Sequence, residues 1–134
     1  MMSGVAVVRY LLANNSGLTA VVPAARIMAG VLPVKTTMPA IAITQISGVQ
    51  RNTVAMTETK RYVTERIQVT AFATTYATQK SIMNLIRAAL PNTHATVNSI
   101  DCDSLLPDLE GPDVFDADSV IYEQSQDFVV RFAR

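Results

Sequence analysis

Two hydrophobic periods meet in the stretch from Tyr62 to Leu90. Val63, Ile67, Val69, Ala71 and Ala73 alternate with Thr64, Arg66, Gln68 and Thr70, the two-residue repeat of a strand with one buried face. After Thr74 and Thr75 the repeat lengthens. Ile82, Leu85, Ile86, Ala89 and Leu90 fall at offsets of zero, three, four, seven and eight, which places all five on one stripe of an α-helix. Thr75 reads as the N-cap, and Pro91 with Asn92 as the stop. A half-buried strand feeding a helix with one apolar face predicts that the helix lies on that strand's sheet.

The same reading extends along the chain. Ser3 caps a first helix with Val5, Val8, Leu11 and Leu12 on its inner side, ended by Asn14, Asn15, Ser16 and Gly17. Leu18 to Val22 predicts a short further turn closed by Pro23. Gly30, Pro33 and Pro39 then break residues 24–39 into a short extended piece and a loop. Ala40 to Ser47 is an isoleucine-rich strand in which Ile41 and Ile43 share one face and Ile46 takes the other, so either both faces are covered or a bulge intervenes. Residues 48–61 form a polar loop, long for a hairpin connection, that holds Arg51, Lys60 and Arg61 with Glu58 as its only acid. Val97 to Leu105 predicts a strand with Ile100 and Cys102 inward and Asp101 and Asp103 facing water. Residues 106–118 form an acidic loop carrying Asp108, Glu110, Asp113, Asp116 and Asp118 among Gly111 and Pro112. Val120 to Phe132 predicts a closing strand, with Tyr122, Phe128, Val130 and Phe132 in phase and Glu123, Asp127 and Arg131 on a wet face. The expected fold is therefore α+β, a mostly antiparallel sheet of four or slightly more strands with helices packed on one face, in a single domain over residues 1–134.

Composition narrows the chemistry. At 134 residues, 49% of them apolar and 16% charged, the chain has enough apolar surface for a core, which argues against disorder. No segment approaches the roughly 18 apolar residues of a membrane span. Met1 to Leu12 lacks a positive n-region and is interrupted by Arg9, so no signal peptide is expected. Cys102 is the single cysteine and His94 the single histidine, the latter in a predicted loop. Without a partner base the thiol reads as a small buried hydrophobe, and an enzyme built on Cys102, His94 or the acidic loop is the weaker alternative. The chain has no glycine-rich phosphate loop, metal-ligand spacing or nucleophile elbow. Carboxylates 113, 116 and 118 lie near one another but lack the spacing and glycine of a calcium loop. No catalytic residue, metal or cofactor is expected. The basic loop has no interleaved aromatic on which bases could stack, which leaves only non-specific phosphate contact, if several copies present it around a common channel.

Formal charge sums to zero but is unevenly placed. Residues 1–90 carry nine Lys and Arg against Glu58 and Glu65, a net +7; residues 91–134 carry Arg131 and Arg134 against nine acids, a net −7. Such a chain either forms a dipolar subunit whose faces attract copies or different partners, or folds so that the two halves intermingle. Sequence leaves both open.

Several runs together carry a resemblance: VVRYLLA in the first helix, the Arg26-Ile27 segment, MPAIAITQISG entering the first main strand, RIQVTAFATTYATQKSIMNLIRAAL where strand turns into helix, and YEQSQDFVVRF at the close. In this order they resemble the tail completion proteins of long-tailed bacteriophages, also called tail terminators or tail-to-head joining proteins. The acidic segment is longer than the family's usual form. The resemblance implies a structural virion protein, assembled in the host cytoplasm into a ring, commonly of six copies, at the head-proximal end of the tail tube. Its implied partners are further copies of itself, the tail tube protein, a neck or head-completion protein and transiently the passing DNA. It also implies that the long connection over residues 48–61 lies near the channel or tube; loop length and charge then point to Arg51, Lys60 and Arg61 as contacts to the tube protein or passing DNA, and to Asp108, Glu110, Asp113, Asp116 and Asp118 as contacts to the neck or a neighbour, a segment on whose role the resemblance is silent. A neck or head-completion adaptor ring is the alternative it leaves standing.

Overall fold

The computed structural model describes residues 3–33, 35–51, 61–90, 95–97 and 100–133. Ser3, with extended backbone, accepts a hydrogen bond from the Ala6 N–H through its hydroxyl and starts α1 (Gly4–Ala13); Asn15 does the same for the Leu18 N–H at the short α2 (Ser16–Thr19). A 3-10 turn, Ala24–Arg26, leads into β1 (Ile27–Ala29). The two long central strands follow, β2 (Ala40–Arg51) and β3 (Tyr62–Ala73). Thr75 caps α3 (Tyr76–Ala89) by accepting from the Thr78 N–H. Beyond it come β4 (Ala95–Val97), β5 (Ile100–Glu110), β6 (Val114–Asp116) and β7 (Ile121–Ala133).

The expected sheet of about four strands with helices on one face is not what forms. The sheet has seven strands in the order β1-β2-β3-β7-β5-β4, with β6 also paired to β7. It is mixed, since β1 runs parallel to β2. Strand accounts for about half of the described residues, and the sheet curls into a half-barrel. Consistent with that curl, α1 touches β1, β2, β3, β7 and β4, strands from one edge to the other.

The reason is strand length. β2, β3, β5 and β7 have 12, 12, 11 and 13 residues, about twice the usual length, so twist accumulates along them. Register shifts at Gln45/Ser47 in β2 and at Cys102/Ser104 and Pro107/Glu110 in β5 add local bends. The extra length comes from segments that read as loops. β2 continues through Gly48 to Arg51, while residues 52–60 lie outside the described part. β5 absorbs Leu106 to Glu110, and β6 takes Val114 to Asp116. The alternation from Val97 to Leu105 is in fact a hairpin, with Val97 opposite Ile100 and residues 98–99 again outside the described part. At Ile46 the bulge is the correct alternative, and that side chain is exposed.

One apolar core fills the curl. Val7, Val8 and Leu12 of α1 and Ile82, Met83 and Ile86 of α3 belong to the same buried cluster as Ile41, Ile43, Ile67, Val69, Phe128, Val130 and Phe132 of the sheet. Each such side chain contributes on the order of 1.5–3 kcal/mol by leaving water. Among these inward positions sits one acid. Glu65 is 1% exposed and accepts the Gly4 N–H at 2.9 Å, tying the start of α1 to the central strand.

Candidate assembly surfaces

On α3, Tyr76, Lys80 and Arg87 fall at offsets of zero, four and eleven, one face of the helix beside its apolar stripe. That face meets the acidic segment. The Lys80 ammonium donates to Asp113 Oδ1 at 2.6 Å and to Gln124 Oε1 at 2.9 Å, and the Tyr76 hydroxyl donates to Asp113 Oδ2 at 2.7 Å. The Arg87 guanidinium donates to Glu110 Oε1 and to Gln126 Oε1, each at 2.6 Å. These bonds hold the Asp113 carboxyl below its ordinary value, chiefly through Lys80 and then Tyr76, and raise Lys80 in return, with desolvation opposing. Gly111 completes the attachment: its N–H donates to the Ser125 carbonyl at 2.7 Å, and a Cβ there would lie 2.9 Å from that oxygen.

The outer face of the sheet carries a third tie. Arg66 of β3 pairs with Asp108 at 2.5 Å and with Asp127 at 3.2 Å; these partners, Asp108 first, raise the arginine further above its already high value. Asp127, expected on a wet face, is buried there, because β7 runs between β3 and β5 and Arg66 reaches over it.

These four ion pairs therefore each join a cation before residue 90 to an acid after residue 100. To that extent the two oppositely charged halves intermingle, the second of the two alternatives left by sequence. Of the five acids expected to face a neighbour or the neck, Asp108, Glu110 and Asp113 are paired within the subunit. Asp116, the last residue of β6, and Asp118, in the exposed turn that follows, remain; the Ser119 side chain and the Asp118 N–H hold the Asp116 carboxyl low.

Two of the three residues of the predicted basic group lie among the described residues, at the adjoining ends of β2 and β3, where Arg51 is opposite Tyr62. Arg51 ends β2 and is exposed, Arg61 precedes β3 and is half-buried with partners of its own, and Lys60 lies outside the described residues. Arg51 also shares a surface groove of about 320 Å³ with Tyr62, Thr64, Asp103 and Arg131. Arg131, from the far end of the chain, was not among the expected contacts.

A second concave feature lies between the N-terminal turn of α3 and the β6–β7 hairpin, about 110 Å³ in volume. It is lined by Tyr76, Gln79, Asp113, Val114, Phe115, Tyr122 and Glu123. Tyr122 stacks at 4.5 Å between centroids on Phe115 and edge-on at 5.9 Å to Tyr76. Sequence gave no warning of this cluster, because its aromatics come from three separate segments. The one available signal was the Tyr76/Lys80/Arg87 face, whose charge complements the acidic run.

Cys102 is buried and its thiol pushed up by burial, the state of an inert core residue. His94 lies outside the described residues. Among the described residues no three metal-ligating side chains converge, and no helix is long and apolar enough to cross a membrane.

Comparison with known proteins follows the fold. The family described as Tail completion protein gp17 matches over residues 6–132. A chain in the solved structure titled "Virion of native gene transfer agent (GTA) particle" superposes with a TM-score of 0.67 at 12% identity, covering 95% of this chain and 92% of that one. A search of curated proteins returns no match.

Proposed function

The chain belongs to the tail completion protein gp17 family, and from that premise we propose that its copies form a ring at the head-proximal end of the tail tube, ending tube growth and joining tail to neck without catalysing a reaction. A tail completion protein is a structural component of the virion tail that assembles with other virion proteins; the ring, its position and its contacts are the proposal. The family match over residues 6–132 carries it.

The geometry supports a ring in a specific way. One sheet edge is β1 together with the second half of β2, which has β1 beside it only at Ile41 to Ile43. The other is β4, the rest of β5, and β6. Exposed apolar residues lie along both, Ile46 and Val49 on the first and Leu109, Val114 and Phe115 on the second. Two unlike edges make heterologous contacts, which close into a ring when the rotation permits. On this reading Arg51, with Arg131 beside it and Lys60 and Arg61 nearby in sequence, contacts the tube or the phosphates of passing DNA. Asp116 and Asp118 are then the acids left for a neighbour or the neck.

Deleting the gene from its phage and imaging the lysate by negative stain tests the function. Overlong tails without heads are the expected result. Tails of normal length beside filled heads would assign joining without length control, the work of a neck adaptor, and normal infectious particles would overturn the structural role. Reversing Arg51, Lys60 and Arg61 together to Glu should reduce infectivity; full infectivity would remove them as contacts.

A further inference from the structure

Gln79 is the clearest polar misfit among the described residues. It is 0% exposed, and neither its Oε1 nor its Nε2 has a hydrogen-bond partner. Its side chain gives the Asp113 carboxylate a weak hydrogen bond, the smallest of the contacts that hold that group low, and makes none of ordinary geometry. A buried carboxamide with nothing to bond is destabilising, and Met83, one turn further along α3, shows what plain filling looks like. Gln79 lines the 110 Å³ cleft walled by Tyr76, Val114, Phe115 and Tyr122. That volume is well below the roughly 300 Å³ at which small-molecule pockets begin; it suits a single protruding side chain. At its rim Lys80 is paired with Asp113 and lies 5.2 Å over the Tyr76 ring, while Glu123, Asp116 and Asp118 make no ion pair with any described residue and leave the surroundings net acidic.

The complementary group lies at the opposite edge of the sheet. Gly30 has a φ of +92° and donates its N–H to the Ile43 carbonyl at 2.8 Å, a backbone turn suited to glycine that carries the chain away from β1. The next residue, Val31, is 90% exposed. Leu32 and Pro33 follow, then Lys35, exposed and without an ion pair among the described residues. β1 ends the sheet on one side, whereas β6 pairs β7 on the side away from β3.

We propose that Val31 of one copy fills the Tyr76–Phe115–Tyr122 cleft of the next, where the peptide groups beside it satisfy the Gln79 carboxamide and Lys35 lies over Asp116 and Asp118. The contact joins an apolar tip flanked by a cation to an apolar cleft rimmed by anions, and it uses two different edges, as head-to-tail closure requires. It rests on the ring reading above and specifies one of the ring's interfaces.

The test pairs a cross-link with a stability measurement on the full chain. Val31→Cys combined with Val114→Cys, oxidised with diamide, should give a ladder of covalently joined subunits beyond the dimer, while each single variant should not; Cys102 is buried and stays silent. Native mass spectrometry of the unmodified chain gives the copy number independently. A ring without a ladder overturns this contact and leaves the ring standing; a monomer at every concentration overturns both. Gln79→Leu then separates a binding role from a packing defect. It should raise the thermal midpoint of the isolated subunit and at the same time weaken assembly by about tenfold, the loss of roughly one hydrogen-bonded contact. Assembly unchanged or strengthened in Gln79→Leu would remove Gln79 from the interface. Lys35→Glu should weaken assembly, and adding Asp116→Lys and Asp118→Lys should restore it; no restoration would remove the charge pairing.

Discussion

Replacing Glu65 by alanine should destabilise the subunit more than any substitution on the wet face of the same strand. The carboxylate is 1% exposed and its Oε1 accepts the Gly4 N–H at 2.9 Å, the first N–H of α1. A hydrogen bond to a charged group contributes about 1.5–3 kcal/mol, and a carboxylate at a helix N-terminus adds about 0.5–1 kcal/mol. Alanine removes both and leaves the Gly4 N–H without its acceptor beside Ile67. Relief from burying a charge offsets part of this, so the net loss should be about 2–3 kcal/mol. Glu65→Gln keeps an acceptor oxygen and loses only the charge, so its loss should be about 1 kcal/mol. Urea unfolding followed by far-UV circular dichroism reads the difference. With a slope of about 2 kcal/mol/M, the alanine variant should lose about 1 M of midpoint and the glutamine variant about half of that. An alanine variant within about 0.5 kcal/mol of the parent, or a glutamine variant no better than alanine, would refute the reasoning.

Val120 sits on the turn into β7 with a φ of 55°, left-handed backbone that costs a non-glycine residue about 1–2 kcal/mol and that asparagine tolerates better. Val120→Asn should therefore raise the thermal midpoint by about 3–5 °C; an unchanged or lower midpoint would show that the turn is not strained. Asp113 titrates below its unfolded value of 3.8 because Lys80 and Tyr76 bind its ionised form. Its stabilising effect is therefore fully present above that value and is lost as pH falls through the folded one. The difference in midpoint between the parent and Asp113→Asn should be constant at about pH 5–7 and shrink below about pH 4; a difference that persists into acid would mean the carboxylate is not what the asparagine removes.

Local pattern was legible wherever one face of an element is buried and the other is wet. The alternation from Val63 to Ala73 and the stripe from Ile82 to Ala89 locate β3 and α3 within a residue or two. It failed where charge masked the pattern. Glu65 occupies an inward position of β3, yet an acid there reads as a break in the repeat. Its acceptor role depends on Gly4, 61 positions away. Leu106 to Asp118 read as a loop because acids, a glycine and two prolines crowd it, but Arg66, Lys80 and Arg87 neutralise three of those acids, and β7 supplies an edge to pair with. Pro107 is tolerated because β4 covers the far side of β5 only from Ile100 to Cys102. The same distance in sequence hides both surfaces. Tyr76, Phe115 and Tyr122 meet only once β6 and β7 lie beside α3, and Arg51 meets Arg131 only across two strands.

The strand order also bears on how the subunit is made. β7 lies between β3 and β5, yet the ribosome delivers it after both. Until it emerges, β3 has an open edge, β6 has no strand to pair with, and Arg66, Arg87 and Lys80 lack Asp127, Gln126 and Gln124. Folding must then wait on contacts that span some sixty positions, a slow topology with exposed strand edges in the interval. A nascent or truncated chain that stops short of β7 thus has neither the Tyr122 wall of the cleft nor the strand that holds β6 in place. Interrupted synthesis consequently yields no subunit with both sheet edges in order, and under the proposed head-to-tail contact the topology itself would screen incomplete chains from the ring.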